Sequence, residues 1–205
     1  MKKLAFCIIL MMSGIIFSQT TKSLFNGKDL NNWEFILSDD SKTPEEVFYV
    51  ADGVMNITGF PNGYLRTTEK FQNFELTLEW RWVGNPANSG VLLSITGEDK
   101  VWPDCIEAQL QHGNAGDLVL IGIKPPSIEN SQGNNRVVII SKQNDSSEKE
   151  PGEWNQYRIV LKNEKLEYYV NGVFQNSAEI VYPEGFIGLQ SEGGHIQFRN
   201  ILITY

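Results

Sequence analysis

The sequence predicts an all-β domain, a β-sandwich or jelly roll, on three observations. Apolar and polar residues alternate with period two along many short runs. Turn dipeptides separate those runs at regular spacing. No segment carries a helical stripe of 10–12 residues. The clearest strand is Phe74–Val83, where Phe74, Leu76, Leu78, Trp80 and Trp82 alternate with Glu75, Thr77, Glu79 and Arg81. Its apolar face places both tryptophans in a core. Strands are also expected at 47–51, 54–58, 91–95, 118–123, 137–141, 157–162, 166–170, 186–190 and 196–204. Asp52-Gly53, Asn62-Gly63, Glu184-Gly185 and Gly193-Gly194 mark turns. Asn171-Gly172 between Lys165–Val170 and Val173–Gln175 reads as a two-residue hairpin turn. Two stretches, 124–135 and 142–152, read as loops of the kind that rim ligand sites.

The chain begins Met-Lys-Lys and runs apolar from Leu4 to Phe17. A short basic start followed by an apolar stretch is the pattern of a signal peptide. The run is too short and too terminal for a comfortable membrane span. Cleavage after Ser18 is expected, which leaves 19–205 as one domain. Cys7 sits inside the run, and a lipid anchor needs a cysteine at its end, so the reading is a soluble exported protein, periplasmic or extracellular. Cleavage removes two of the positive charges from a formal net charge of −8. That acidity argues against nucleic-acid or anionic-membrane partners. Cys105 would then be the one thiol left, which excludes an internal disulfide and favours an inert, buried side chain.

The richest stretch is Cys105–Gln111, Cys-Ile-Glu-Ala-Gln-Leu-Gln. Strand alternation sets Cys105, Glu107, Gln109 and Gln111 on one face and Ile106, Ala108 and Leu110 on the other. One carboxylate beside two carboxamides suits hydroxyl-rich ligands and can supply one base. It lacks the carboxylate pair that ordinary glycosidases use. Glu107 is the candidate catalytic base, against the alternative of a carboxylate solvating a sheet face. Gln109 and Gln111 are candidate contacts to sugar hydroxyls, or partners of loop backbone. Trp102 could stack on a sugar ring or pack its loop. His112 could relay protons or simply lie exposed. His195, in a Gly-Gly turn, reads as bland. Glu192 could bring a second acid near Glu107. Arg66 and Lys70 could supply positive charge, with surface solvation as their default.

No HExxH, paired CxxC or Asp-x-Asp-x-Asp loop occurs, so no metal and no cofactor are expected. Asp39, Asp40, Asp99, Asp104 and Asp117 carry oxygens suited to calcium but show no convergent spacing. No glycine-rich phosphate loop opens a helix, which leaves nucleotide binding without support.

Several phrases taken in order resemble one family. They are Ser23–Leu30 with Trp33, Tyr64–Thr67, Phe71–Leu78, Asn88–Val91, Glu107–Gln109, Gly152–Asn155, Asn171-Gly172, Ile187–Gly193 and Phe198–Ile201. Together they resemble the 3-keto-disaccharide hydrolase domain family, from about residue 23 to the end. The resemblance implies a concanavalin A-like jelly roll of two curved antiparallel sheets with a ligand groove on the concave face. It implies hydrolysis of glycosides whose C3 hydroxyl has been oxidised to a ketone, and hence an upstream sugar 3-oxidoreductase. A non-catalytic, lectin-like carbohydrate-binding domain on the same scaffold is the alternative. The opening phrase and Phe198–Ile201 read as structural, with the two chain ends pairing as neighbouring strands. One departure stands out. Many relatives carry an arginine a few residues after Asn-Ser-Gly, whereas Val91-Leu92-Leu93-Ser94 here has none.

Overall fold

The structure is a computed structural model that describes residues 19–123, 131–134 and 136–205. The signal-peptide reading of 1–18 and most of the 124–135 loop lie outside the described residues. The elements run β1 (Thr21–Ser23), β2 (Trp33–Leu37), α1 (Pro44–Val47), β3 (Phe48–Ala51), β4 (Val54–Ile57), β5 (Gly63–Thr67), β6 (Phe74–Trp82), β7 (Gly90–Thr96) and β8 (Asp104–Gln109). They continue with β9 (Leu118–Ile121), β10 (Ser131–Gly133), β11 (Val137–Ile140), β12 (Asn155–Lys162), β13 (Lys165–Val170), β14 (Val173–Glu179), β15 (Phe186–Ser191) and β16 (Ile196–Thr204). Among the described residues, no helix is long and apolar enough to cross a membrane.

The strands form two eight-stranded antiparallel sheets, the jelly-roll sandwich expected from the alternation. One sheet has the order β14-β13-β12-β6-β16-β4-β3, with β1 paired to β16. The other has the order β10-β11-β9-β8-β7-β15-β5-β2. Between them lies the main core. Strand β6 contributes Phe74, Leu76, Leu78, Trp80 and Trp82, all buried, while its alternate residues face outward. The second sheet meets them with Leu65, Val91, Leu93, Ile106, Ala108 and Leu189. Period-two alternation thus segregates each strand into a core face and an outer face.

Local chemistry sets the joints. Asn171 and Gly172 both take positive φ, 49° and 80°, as a primed two-residue turn requires between β13 and β14. The chain ends pair through Thr21↔Thr204 and Ser23↔Leu202, and Leu24 and Phe25 pass from β1 into the core. A bulge interrupts β7 between Leu93 and Thr96, where Ser94 takes a φ of 53°. Strand β7 carries the register across to the two strands that build the site described next.

Candidate functional site

Strand β8 splits its side chains as its alternation predicts. Ile106 and Ala108 join the inter-sheet core. Cys105 and Glu107 point to the outer face of the second sheet, where Cys105 packs with Tyr64, Leu92, Ile95, Val119 and Ile121. Glu107 is 4% exposed. The structure therefore places this carboxylate on the expected face, but buried rather than open to bulk water.

Register fixes its neighbours. Glu107 lies opposite Leu92 of β7 and Val119 of β9. The next row places Gly90 opposite Gln109. The pairing Leu189↔Val91 and the bridge Asn88↔Glu192 set Gln190 of β15 beside Gly90. The Glu107 side chain leans across Gly90, so closely that a Cβ on Gly90 would overlap its carboxylate. Glycine is needed here for close approach rather than for an unusual φ. Below this row, Asn88 Nδ2 donates to Glu192 Oε2 at 2.7 Å. Ser89 Oγ donates to the Gln190 carbonyl at 2.8 Å and ties β7 to β15.

The electrostatics follow from this crowding. Burial pushes the Glu107 carboxyl from its ordinary 4.5 up to about 8, and the negative charge of Glu192 adds to the rise. Burial also raises Glu192, against the lowering effect of its bond from Asn88. Burial drives the Cys105 thiol well above its ordinary range, which keeps it protonated and inert. Three buried oxygens here have no hydrogen-bond partner among the described residues: Glu107 Oε1, Asn88 Oδ1 and Gln190 Oε1.

The remaining expected site residues divide clearly. Glu192 joins Glu107. Gln109 is on the right face, but its Oε1 accepts from the Leu110 and Gln111 backbone N–H groups at 2.9 and 2.8 Å. That bond ends the strand and overturns the expected four-residue row. Gln111 falls outside β8, exposed, with its side-chain Oε1 accepting from Asn114 Nδ2 at 3.0 Å. His112 is exposed, with Nδ1 3.6 Å from Glu148 Oε1. Trp102 stands in the loop before β8, 37% exposed, and its backbone carbonyl accepts from Arg136.

Arg66 is on the outer face but three strands from β8, through Gly188 and Leu92. At ~4.8 Å per strand that is roughly 14 Å. Its guanidinium donates to Glu34 at 2.9 and 3.0 Å and to Asp99 at 2.6 Å, and lies over the Phe186 ring. Lys70 is exposed beside the same ring. Neither reaches Glu107 through the register. His195 bonds Asn56 at 3.0 Å, a structural role on the other sheet.

Sequence reasoning left Asn88, Gly90 and Gln190 without site roles. The available signal was parity. Ile187 and Leu189 point inward, so Gly188 and Gln190 share the outer face. Among the described residues, no group of three or more His, Cys, Asp or Glu side chains is arranged to hold a metal ion.

The two packed antiparallel sheets define a jelly-roll domain, and homology sets it among carbohydrate-active proteins. The chain belongs to the 3-keto-alpha-glucoside-1,2-lyase-like domain family, whose model matches residues 20–204. It is similar to a 3-keto-disaccharide hydrolase of Bacteroides thetaiotaomicron, at 26% identity over 88% of this chain and 77% of that protein. The fold resembles a candidate glycosyl hydrolase from Parabacteroides distasonis, with TM-score 0.64 and 24% identity over 90% and 98% of the two chains. It also resembles the β-glucanase of Bacillus licheniformis, with TM-score 0.56 and 12% identity over 93% and 99%. At such identities these two structures speak to the fold alone.

Proposed function

We propose that this protein is an exported hydrolase that cleaves 3-keto glycosides by elimination and hydration, with Glu107 as the base. The observation that carries the reading is a carboxylate buried on the outer face of β8, beside Glu192, whose pKa is lifted to about 8. A base with a pKa near working pH is well matched to proton abstraction. The ketone at C3 acidifies the proton on C2. Glu107 takes that proton and an enolate forms. The C1–O bond then breaks, because its oxygen is β to the ketone, and the ring becomes an enone. Water protonates the departing oxygen and its hydroxide adds to C1. Glu107 returns the proton to C2, so the net change is hydrolysis.

Family membership supports the substrate class, and the name of the Bacteroides relative supports hydrolysis over simple elimination. The substrate requires a preceding oxidation of the C3 hydroxyl, so a sugar 3-oxidoreductase must act first. The basic-then-apolar start of the chain supports export.

The test compares a 3-keto disaccharide with its unoxidised parent. Release of monosaccharide from the keto form alone is expected, and Glu107→Gln should abolish it while the protein stays folded. Release from neither substrate would favour a binding module. Release from the plain parent would refute the one-base chemistry.

A further inference from the structure

The outer face around Gly90 gathers buried oxygens that lack hydrogen-bond partners. Glu107 Oε1, Gln190 Oε1 and Asn88 Oδ1 are buried and have no hydrogen-bond partner among the described residues. A buried acceptor left unmet costs about 1–3 kcal/mol, so three such atoms on adjoining register positions call for a common partner. Their placement converges. Glu107 arches over Gly90, Gln190 flanks Gly90 on the next strand, and Asn88 lies two residues before it on the same side. Glu192, held by Asn88, closes the fourth side. Without a Cβ, Gly90 lets the Glu107 carboxylate lie directly over its backbone, so that carboxylate itself forms the floor of the cradle.

We propose that Glu107, Glu192, Asn88 and Gln190 bind a divalent, oxygen-preferring cation beside the Glu107 carboxylate. Two carboxylates and two carboxamide oxygens are the hard ligands that calcium, magnesium and manganese take. Arg66 is already committed to Glu34 and Asp99, so its charge does not serve these oxygens. A spacing rule built on His, Cys, Asp and Glu misses such a site, because half of its ligands are amides. A proton and a cation compete for the Glu107 carboxylate, so the ion-bound form is not the base of the function proposed above, and the site does not rest on that function.

The experiment starts from EDTA-stripped protein and titrates Mn2+, Mg2+ and Ca2+ separately by calorimetry and thermal melting. At least one ion is expected to bind with a Kd on the order of 10 µM and to raise Tm by a few degrees at ~1 mM. Gln190→Leu and Glu192→Gln should each weaken binding tenfold or more while melting cooperatively without metal. No heat and no Tm change with any of the three ions at millimolar concentration would overturn the site. So would wild-type affinity in both variants. Cation binding with no turnover of 3-keto substrate would leave the site standing and refute the proposed function. Turnover without cation binding would do the reverse.

Discussion

Glu107 is a buried carboxylate with a strongly raised pKa. Its carboxyl titrates near 8 in the folded protein, because burial and Glu192 disfavour the charged form, against 4.5 for the ordinary group. Between those two values the unfolded chain binds fewer protons than the native one. Stability therefore falls as pH rises from about 4.5 to about 8 and levels off above that. The full window is worth at most roughly 5 kcal/mol at 1.36 kcal/mol per pH unit. Glu107→Gln keeps the shape and removes the titration. Urea unfolding in EDTA at pH 5 and pH 9 should show the wild type losing a few kcal/mol and the variant losing much less. Parallel losses in the two proteins would refute the burial argument. The same ionisation sets the acid limb of kcat/KM, which should climb toward pH 8.

At the scale of strands, much was legible because period-two alternation is a local signal. Strand β6 shows this best, with its buried and outward residues alternating along all nine positions. The β13–β14 turn was legible for the same reason, since Asn-Gly suits positive φ at both positions. What stayed hidden depends on atoms distant in sequence or on side chains that bond backbone. Gln109 folds back onto the Leu110 and Gln111 amides, which ends β8 and discards Gln111 from the row. Arg66 is neutralised by Glu34 and Asp99, more than thirty residues away on either side. Gly90 lies just before the strand expected at 91–95 and drew no role of its own from the sequence, yet the close approach of Glu107 depends on it. Gly90→Ala should cost about 1–3 kcal/mol by overpacking and abolish turnover, with far-UV circular dichroism unchanged. Full activity in that variant would show that Glu107 works from another rotamer.

Across the whole molecule, two sheets share one core, and the ends of the described chain are stitched together by β1 and β16. The second sheet supports side chains on both surfaces, with the inter-sheet core beneath and the Cys105 cluster above. The thiol of Cys105 is wholly buried two residues from Glu107, and in a chain that starts at Gln19 it is the sole sulfhydryl. It is therefore a built-in reporter. Alkylation by iodoacetamide can proceed only when the sheet breathes, so the labelling rate counts openings of the outer face that carries Glu107. Saturating substrate should slow that labelling, and Glu107→Gln should preserve the slow native rate. Rapid modification of the resting protein would reveal a surface far looser than its packing indicates.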